Sequence, residues 1–336
     1  MNQNSSIPPS PLNTAVLFLV FNRLDTTKQV FRAIREAKPP RLYIASDGAR
    51  ETKEGESDKV NEVREYLISN IDWDCEVNTL FRDNNLGCKY AVSGAIDWFF
   101  KNEEMGIILE DDCLPSQSFF WFCEELLEKY RDEHRVSSIS GSNPFKYADN
   151  INGEEESYFF SKYNRIWGWA SWRRAWSHYD VHMRVWPEAK KRKSHYVFFE
   201  SKAERESMEN IYQQCYEGKI DTWDFQWSFT KSLMMSVTLV SKKNLIKNIG
   251  EGVDATHTHH LPKEISDSRL ENVSFPLKHP KEIIIDYNKD LHTMKYRFDK
   301  FGILKYVKEI IKKVLKKIHL FNEMKKIMYS FSNGKI

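Results

Sequence analysis

Three carboxylates in succession, Glu110-Asp111-Asp112, follow directly on the apolar run Ile107-Ile108-Leu109. Such a run reads as a buried strand, so the three anions crowd together where the chain leaves a sheet. They repel one another there unless a cation or a set of donors compensates them. Oxygen-only ligands select Mg²⁺ or Mn²⁺ over zinc, and such ions complete their shell with waters and substrate phosphates. The place at a strand exit favours this reading over that of a solvated acidic turn.

A second candidate is Asp224, enclosed in Trp223-Asp224-Phe225-Gln226-Trp227. A carboxylate set beside aromatic surface gains proton affinity, which suits it to accept a proton from an alcohol as a general base. Capping the helix that continues through Gln226, Trp227, Phe229 and Lys231 is the alternative, and one residue can do both. A third is Asp254-Ala255-Thr256-His257-Thr258-His259-His260, which could supply one metal ligand, His257, from a loop. No zinc spacing accompanies it, and a hydrogen bond to phosphate or an ordinary surface position competes. The chain has no G-x-x-x-x-G-K-[ST] loop, G-x-G-x-x-G fingerprint, G-x-S-x-G elbow or kinase signature set. With 13 glycines it has no glycine-rich cradle for phosphate, and a cation on the acidic residues would have to do that work.

The elements that must position these residues are legible ahead of them. Ala15–Phe21 is a short apolar run, the mark of a strand buried on both faces. Thr26–Ala37 has helical spacing and stops at Pro39-Pro40, and Arg41–Ser46 is a second strand closed by Asp47-Gly48. Strand, helix and strand in close succession form a βαβ unit and hence a parallel sheet. The alternation predicts a helix over Lys59–Ile71, a strand over Glu76–Phe81, a helix over Cys88–Phe100, a strand over Gly106–Leu109, a helix over Phe119–Tyr130 and a strand over Val136–Ser140. Ligands of such doubly wound sheets bind beyond the carboxyl ends of the strands.

After Gly141 the alternation is lost, and seven of the ten tryptophans lie between Trp167 and Trp227. The chain therefore divides into a loose leader over 1–13, an α/β half over 14–142, an aromatic-rich half over 143–262, a connecting segment over 263–301 and a tail over 302–336. Nine lysines against two glutamates give the tail a net charge of +7, leaving the preceding residues at −5. Its apolar residues, among them Ile303, Val307, Ile310, Val314 and Ile318, share one helical face. That pattern suits the surface of an anionic membrane, with docking of the helix on the body as the alternative.

A length of 336 residues corresponds to one large or two ordinary domains, and the apolar and aromatic content excludes a disordered chain. The longest apolar run, Ala15–Phe21, is too short to cross a membrane, and no secretory signal is read at the start. Five cysteines without C-x-x-C spacing are expected as reduced, buried thiols of a cytoplasmic protein, resident on the inner face of the membrane if the tail binds lipid. The lysines of the tail lack interleaved aromatics, so no specific nucleic-acid partner is expected.

An acidic motif ending the fourth strand of a parallel α/β half, followed by a Trp-rich half with its own carboxylate, resembles the GT-A nucleotide-sugar glycosyltransferases. More narrowly it is similar to the N-acetylglucosaminyltransferase I group and its bacterial relatives, over roughly residues 14–260. The resemblance implies a GT-A-type, Rossmann-like α/β fold with a mostly parallel sheet, followed by a C-terminal amphipathic helix. It also implies roles residue by residue. Phe21-Asn22-Arg23 would meet the nucleotide diphosphate, Asp47 the uracil ring, and Lys89, within Asn85-Leu86-Gly87-Cys88-Lys89-Tyr90, the donor. Asp112 would bind Mn²⁺ while Glu110 and Asp111 hold ribose and donor sugar. Trp167-Gly168-Trp169 would lie beside the sugar, with Trp167, Trp169 and Trp172 offering faces for stacking or else forming core. The segment Trp223–Trp227 resembles a W-D-D-W element whose second Asp is the base; here Phe225 stands at that position and Asp224 is the carboxylate present.

The function expected is transfer of a sugar from a nucleotide diphosphate, read as a UDP-sugar, to a hydroxyl of a glycan or lipid-linked glycan, with inversion, in cell-surface polysaccharide or glycoconjugate synthesis. Competing expectations are a sugar nucleotidyltransferase, against which Phe21-Asn22-Arg23-Leu24 lacks a Gly- and Lys-rich loop, and a non-catalytic carbohydrate or membrane-surface module.

Overall fold

The computed structural model describes residues 11–145, 156–250, 265 and 267–295. The four leading strands, β1 (Val16–Val20), β2 (Arg41–Ser46), β3 (Glu76–Phe81) and β4 (Met105–Glu110), pair in parallel in the order β3-β2-β1-β4. Between them run α1 (Leu24–Ala37), α2 (Glu56–Ser69) and α3 (Gly87–Asn102). All of β1 is buried because both faces of the sheet are covered. Val16, Phe18 and Val20 pack with Phe31 and Ile34 of α1, whereas Leu17 and Leu19 point to the other face, among Ile96 and Phe99 of α3. This period-2 division of an unbroken apolar run is what a doubly covered strand requires.

Beyond β4 the sheet continues with β8 (Trp169–Trp172), β6 (Val136–Ser140), β9 (Val237–Ser241) and β7 (Tyr158–Ser161), giving the order β3-β2-β1-β4-β8-β6-β9-β7. β8 lies antiparallel between β4 and β6, and β7 is antiparallel to β9; the other six strands point one way. The chain thus has the expected fold class, an α/β fold with a mostly parallel, Rossmann-like central sheet. Strands β7, β8 and β9 of the aromatic-rich half complete this sheet. A two-stranded ribbon, β5 (Cys113–Pro115) with β10 (Ile246–Asn248), sits immediately after the acidic triplet.

The remaining helices are α4 (Gln117–Lys129), α5 (Arg173–Trp176), α6 (Trp186–Arg192), α7 (Lys202–Tyr216), α8 (Asp224–Met234) and α9 (Tyr287–Met294). Helix α7 opens on a side-chain cap: Ser201 accepts from the Glu204 N–H, and the buried Glu204 carboxylate takes the Glu200 N–H and the Tyr163 hydroxyl. One compact unit ends at Asp290, and a second begins at Leu291. Residues 267–290, expected to be a mere connection, belong to the first unit and bury Val273 and Leu277 in its core. All five cysteines are unpaired. Among the described residues no helix is long and apolar enough to cross a membrane. The leader up to residue 10, His257 and the basic tail lie outside the described residues.

Candidate active site

A cleft of about 430 Å³ opens where β1, β2 and β4 end, between the N-terminus of α3 and that of α8. Glu110, Asp111 and Asp112 form one wall, Asp224 with Thr222, Trp223 and Phe225 another, and Phe21, Asp47, Arg50, Arg82 and Asn85 the far end. Two acidic motifs more than a hundred residues apart in sequence therefore share one cavity at the carboxyl edge of the sheet.

The acidic wall is held by one cation. Arg23, which occupies the N-cap position of α1, donates through Nη2 to Asp111 Oδ1 at 2.5 Å and to Asp112 Oδ2 at 2.9 Å. The Phe21 N–H reaches Asp111 Oδ2 at 3.3 Å, and the Cys113 thiol reaches Asp112 Oδ1 at 3.4 Å. Glu110 Oε1 is buried without a hydrogen-bond partner. Burial, reinforced by repulsion from Asp112 and Asp111, pushes Glu110 up to about 8. Burial pushes Asp111 up to about 6 against the pull of Arg23. Burial opposes the charge on Arg23, yet Asp111 and Asp112 together hold it above its ordinary value.

These shifts predict a pH dependence. A carboxyl that binds its proton more tightly when folded lends stability fully present below its unfolded pKa and lost as pH rises through the folded value. For Glu110 that window runs from about 4.5 to about 8. In chelator, Glu110→Gln is expected to melt several degrees above the parent at pH 9 and to converge with it near pH 4.5, as followed by thermal denaturation across the range.

Gly250 closes the acidic end from the side of the ribbon. The Ile249 N–H donates to the Asp112 carbonyl at 2.8 Å, drawing the chain against the carboxylates. A Cβ on Gly250 would stand 2.3 Å from Asp112 Oδ2 and 2.8 Å from Arg23 Nη1, so only glycine leaves these groups room. Among the described residues no three His, Cys, Asp or Glu side chains converge as a ready metal cage.

Asp224 is the first residue of α8, whose N-cap position belongs to Trp223 and has no side-chain cap. Its carboxylate makes no capping bond to the helix; Oδ1 instead accepts the Thr222 hydroxyl. Behind it, Trp223 stacks on Trp169 at 5.6 Å, and Trp176 and Trp227 complete a buried aromatic block.

At the opposite end Asp47 accepts the Leu86 N–H at 3.0 Å and the Gly87 N–H at 3.1 Å, and Asp221 accepts the Lys89 N–H at 3.1 Å. Two carboxylates thus satisfy the N-terminus of α3, which would otherwise attract a phosphate. Burial raises the Asp47 pKa against the donation from Leu86, Gly48 and Gly87.

Of the residues expected at the site, Arg23, Asp47, Glu110, Asp111, Asp112, Trp167 and Asp224 line the cleft. The others do not. Asn22 donates to Glu56 at 2.9 Å, supporting the Arg50–Glu56 ion pair behind the wall. Lys89 is buried, with Nζ over the Tyr90 ring. Gly168, at φ +59°, packs against Ile246 where a Cβ would collide. Trp169 is core in the block under Trp223, because the alternation of β8 turns it to the covered face, and Trp172 is likewise buried and donates to the Leu127 carbonyl. Sequence reasoning missed Arg82, Thr222, Asn248 and Gly250 as lining residues and Asp221 as a cap.

No family model matches the chain, and no curated protein matches it. Among solved structures it is similar to HddC from Yersinia pseudotuberculosis, with 10% identity and a TM-score of 0.29 over 48% of this chain and 77% of that one. A second HddC structure, complexed with GMP-PN, matches equally. The chain is also similar to S. aureus TarS 1–349, with 8% identity and a TM-score of 0.36 over 70% of this chain and 60% of that one.

Proposed function

We propose that the chain is a nucleotide-sugar transferase that moves a sugar from a nucleotide-diphosphate donor, read as a UDP-sugar, to a hydroxyl of a glycan acceptor with inversion, using Mn²⁺ or Mg²⁺. The observation that carries the reading is the meeting of Glu110-Asp111-Asp112 with Asp224 across one cleft at the carboxyl ends of the strands.

The donor set suits a hard divalent cation. It offers oxygen alone, includes a buried carboxylate oxygen of Glu110 without a partner, and sets three acidic side chains against one guanidinium. Asp112 would hold the ion, with Glu110 beside it and the remaining positions left to donor phosphates and water. Bound there, it would offset charge developing on the departing diphosphate. Arg23 supplies a second positive group at the same end, in a fork suited to phosphate oxygens. Across the cleft Asp224 takes the proton of the acceptor hydroxyl as that oxygen attacks the anomeric carbon. Thr222 holds Oδ1, so Oδ2 is the oxygen left to receive it. Trp167, Trp223 and Phe225 give the cleft apolar surface suited to sugar C–H groups and to excluding water. The basic tail would hold the chain to an anionic membrane surface, where a lipid-linked acceptor resides.

A panel of nucleotide sugars tested by thermal shift, with and without Mn²⁺, examines the reading. The expected result is stabilisation by one donor class only when the ion is present, with sugar transfer or slow donor hydrolysis releasing the nucleoside diphosphate. Indifference to every nucleotide sugar in the presence of Mn²⁺ would overturn it. Release of pyrophosphate from a nucleoside triphosphate and a sugar phosphate would point instead to a nucleotidyltransferase. Gly250→Ala, whose added Cβ presses on Asp112 and Arg23, is expected to lower turnover about tenfold or more and to lower the melting temperature by several degrees.

A further inference from the structure

Each carboxylate oxygen of Asp112 already carries a contact. Arg23 Nη2 occupies Oδ2 at 2.9 Å and the Cys113 thiol occupies Oδ1 at 3.4 Å. The same Nη2 bridges to Asp111 at 2.5 Å, and the Asp111 side chain is only 6% exposed. A guanidinium in this position does electrostatically what a metal ion would do, and its positive charge 2.9 Å from Oδ2 repels a second cation at that carboxylate until the contact loosens. Loosening it alone is unfavourable, because it leaves a mostly buried guanidinium short of an anion. A diphosphate removes that obstacle, since it presents oxygens to the same planar fork. The backbone of Arg23 is fixed by the Thr27 N–H on its carbonyl at 3.1 Å, so only its side chain need turn. Because Gly250 has no side chain, Asp112 Oδ2 and Arg23 Nη1 pack directly against its backbone, with no neighbouring side chain clamping their pair from that side.

We infer that Arg23 is a resident counter-cation of Asp112 which the donor diphosphate draws away, so that divalent ion and nucleoside diphosphate bind with positive coupling and the ion alone binds weakly. This rests on the transferase reading above and adds an order of events to it. It also gives Arg23 two successive partners, first the acidic wall and then the leaving group.

The test measures Mn²⁺ binding to the full chain by the electron paramagnetic resonance signal of the free ion, with and without saturating UDP and corrected for Mn²⁺ held by UDP in solution. In the parent, UDP is expected to tighten Mn²⁺ binding about tenfold or more, and by linkage Mn²⁺ tightens UDP by the same factor. In Arg23→Met, Mn²⁺ alone is expected to bind about tenfold more tightly than in the parent, and the coupling to fall toward unity. Arg23→Gln is a second uncharged variant, and either one that retains the parent's circular dichroism and cooperative melting decides the matter. Mn²⁺ binding to the parent that is strong without UDP, or that neither variant changes, would overturn this inference while leaving the transferase reading intact. Failure of the parent to bind Mn²⁺ under either condition would overturn both.

Discussion

Asp224→Asn is expected to lower kcat by about 10²–10⁴-fold while leaving binding of nucleotide sugar and Mn²⁺ within about twofold of the parent. The substitution keeps the size of the side chain and the acceptor for the Thr222 hydroxyl, so the opening of α8 is undisturbed. What it removes is the capacity to accept a proton on the cleft side. No capping bond is lost, because the carboxylate makes none to the helix, and the effect should therefore fall on turnover and spare the fold. Single-turnover kinetics with a matched donor and acceptor, set beside thermal-shift titrations of the donor, check both halves. A variant that retained near-parental kcat would remove Asp224 from the chemistry and turn attention to another group of the cleft.

The second large effect belongs to Asp112→Asn. The amide oxygen can still accept from Arg23 and the side-chain volume is kept, so the apoprotein should melt within a few degrees of the parent. Its affinity for Mn²⁺ should fall steeply, and kcat/KM with it by about 10³-fold, since the charge that offsets the departing diphosphate is lost. Asp111→Asn provides the contrast. Asp111 is the more buried of the two, accepts the Phe21 N–H and carries the shorter contact to Arg23. Its loss is expected mainly to lower the melting temperature. Melting curves and Mn²⁺ titrations on the two variants separate a ligand from a scaffold residue at adjacent positions.

The first four strands were legible because each is a compact hydrophobic run bounded by turn residues and separated from the next by a helical pattern. The second half resisted the same reading for a physical reason. β8 is four residues long and buried throughout, so it shows neither alternation nor a distinctive length, and it looks like more of the aromatic surroundings. β5 and β10 are three residues each and exist through their pairing with one another across the fold. The acidic triplet could be placed because a strand exit fixes where its side chains emerge. Trp167 and Trp169 could not be told apart, since which of two nearby residues reaches the cleft depends on the phase of β8 against β4. Thr222 carried a faint signal, a hydroxyl two residues before the carboxylate it steadies. Gly250 carried none, because its importance lies in what stands next to it in space.

The place of β8 has a consequence for how this chain can be made or taken apart. It separates β4 from β6, although both precede it in sequence, and β6 must find β9 a hundred residues further on, Val136 opposite Val237. Such long-range pairing delays acquisition of the native topology after synthesis and makes refolding slow. A fragment ending near residue 142 would present the bare edge of β4 and a stranded β6, a template for aggregation in place of a free-standing α/β module. Exchange of the aromatic-rich halves between related chains at that point would meet the same barrier. Diversification of such a scaffold is therefore expected by substitution within the cleft and variation of its loops, with the order of the strands conserved.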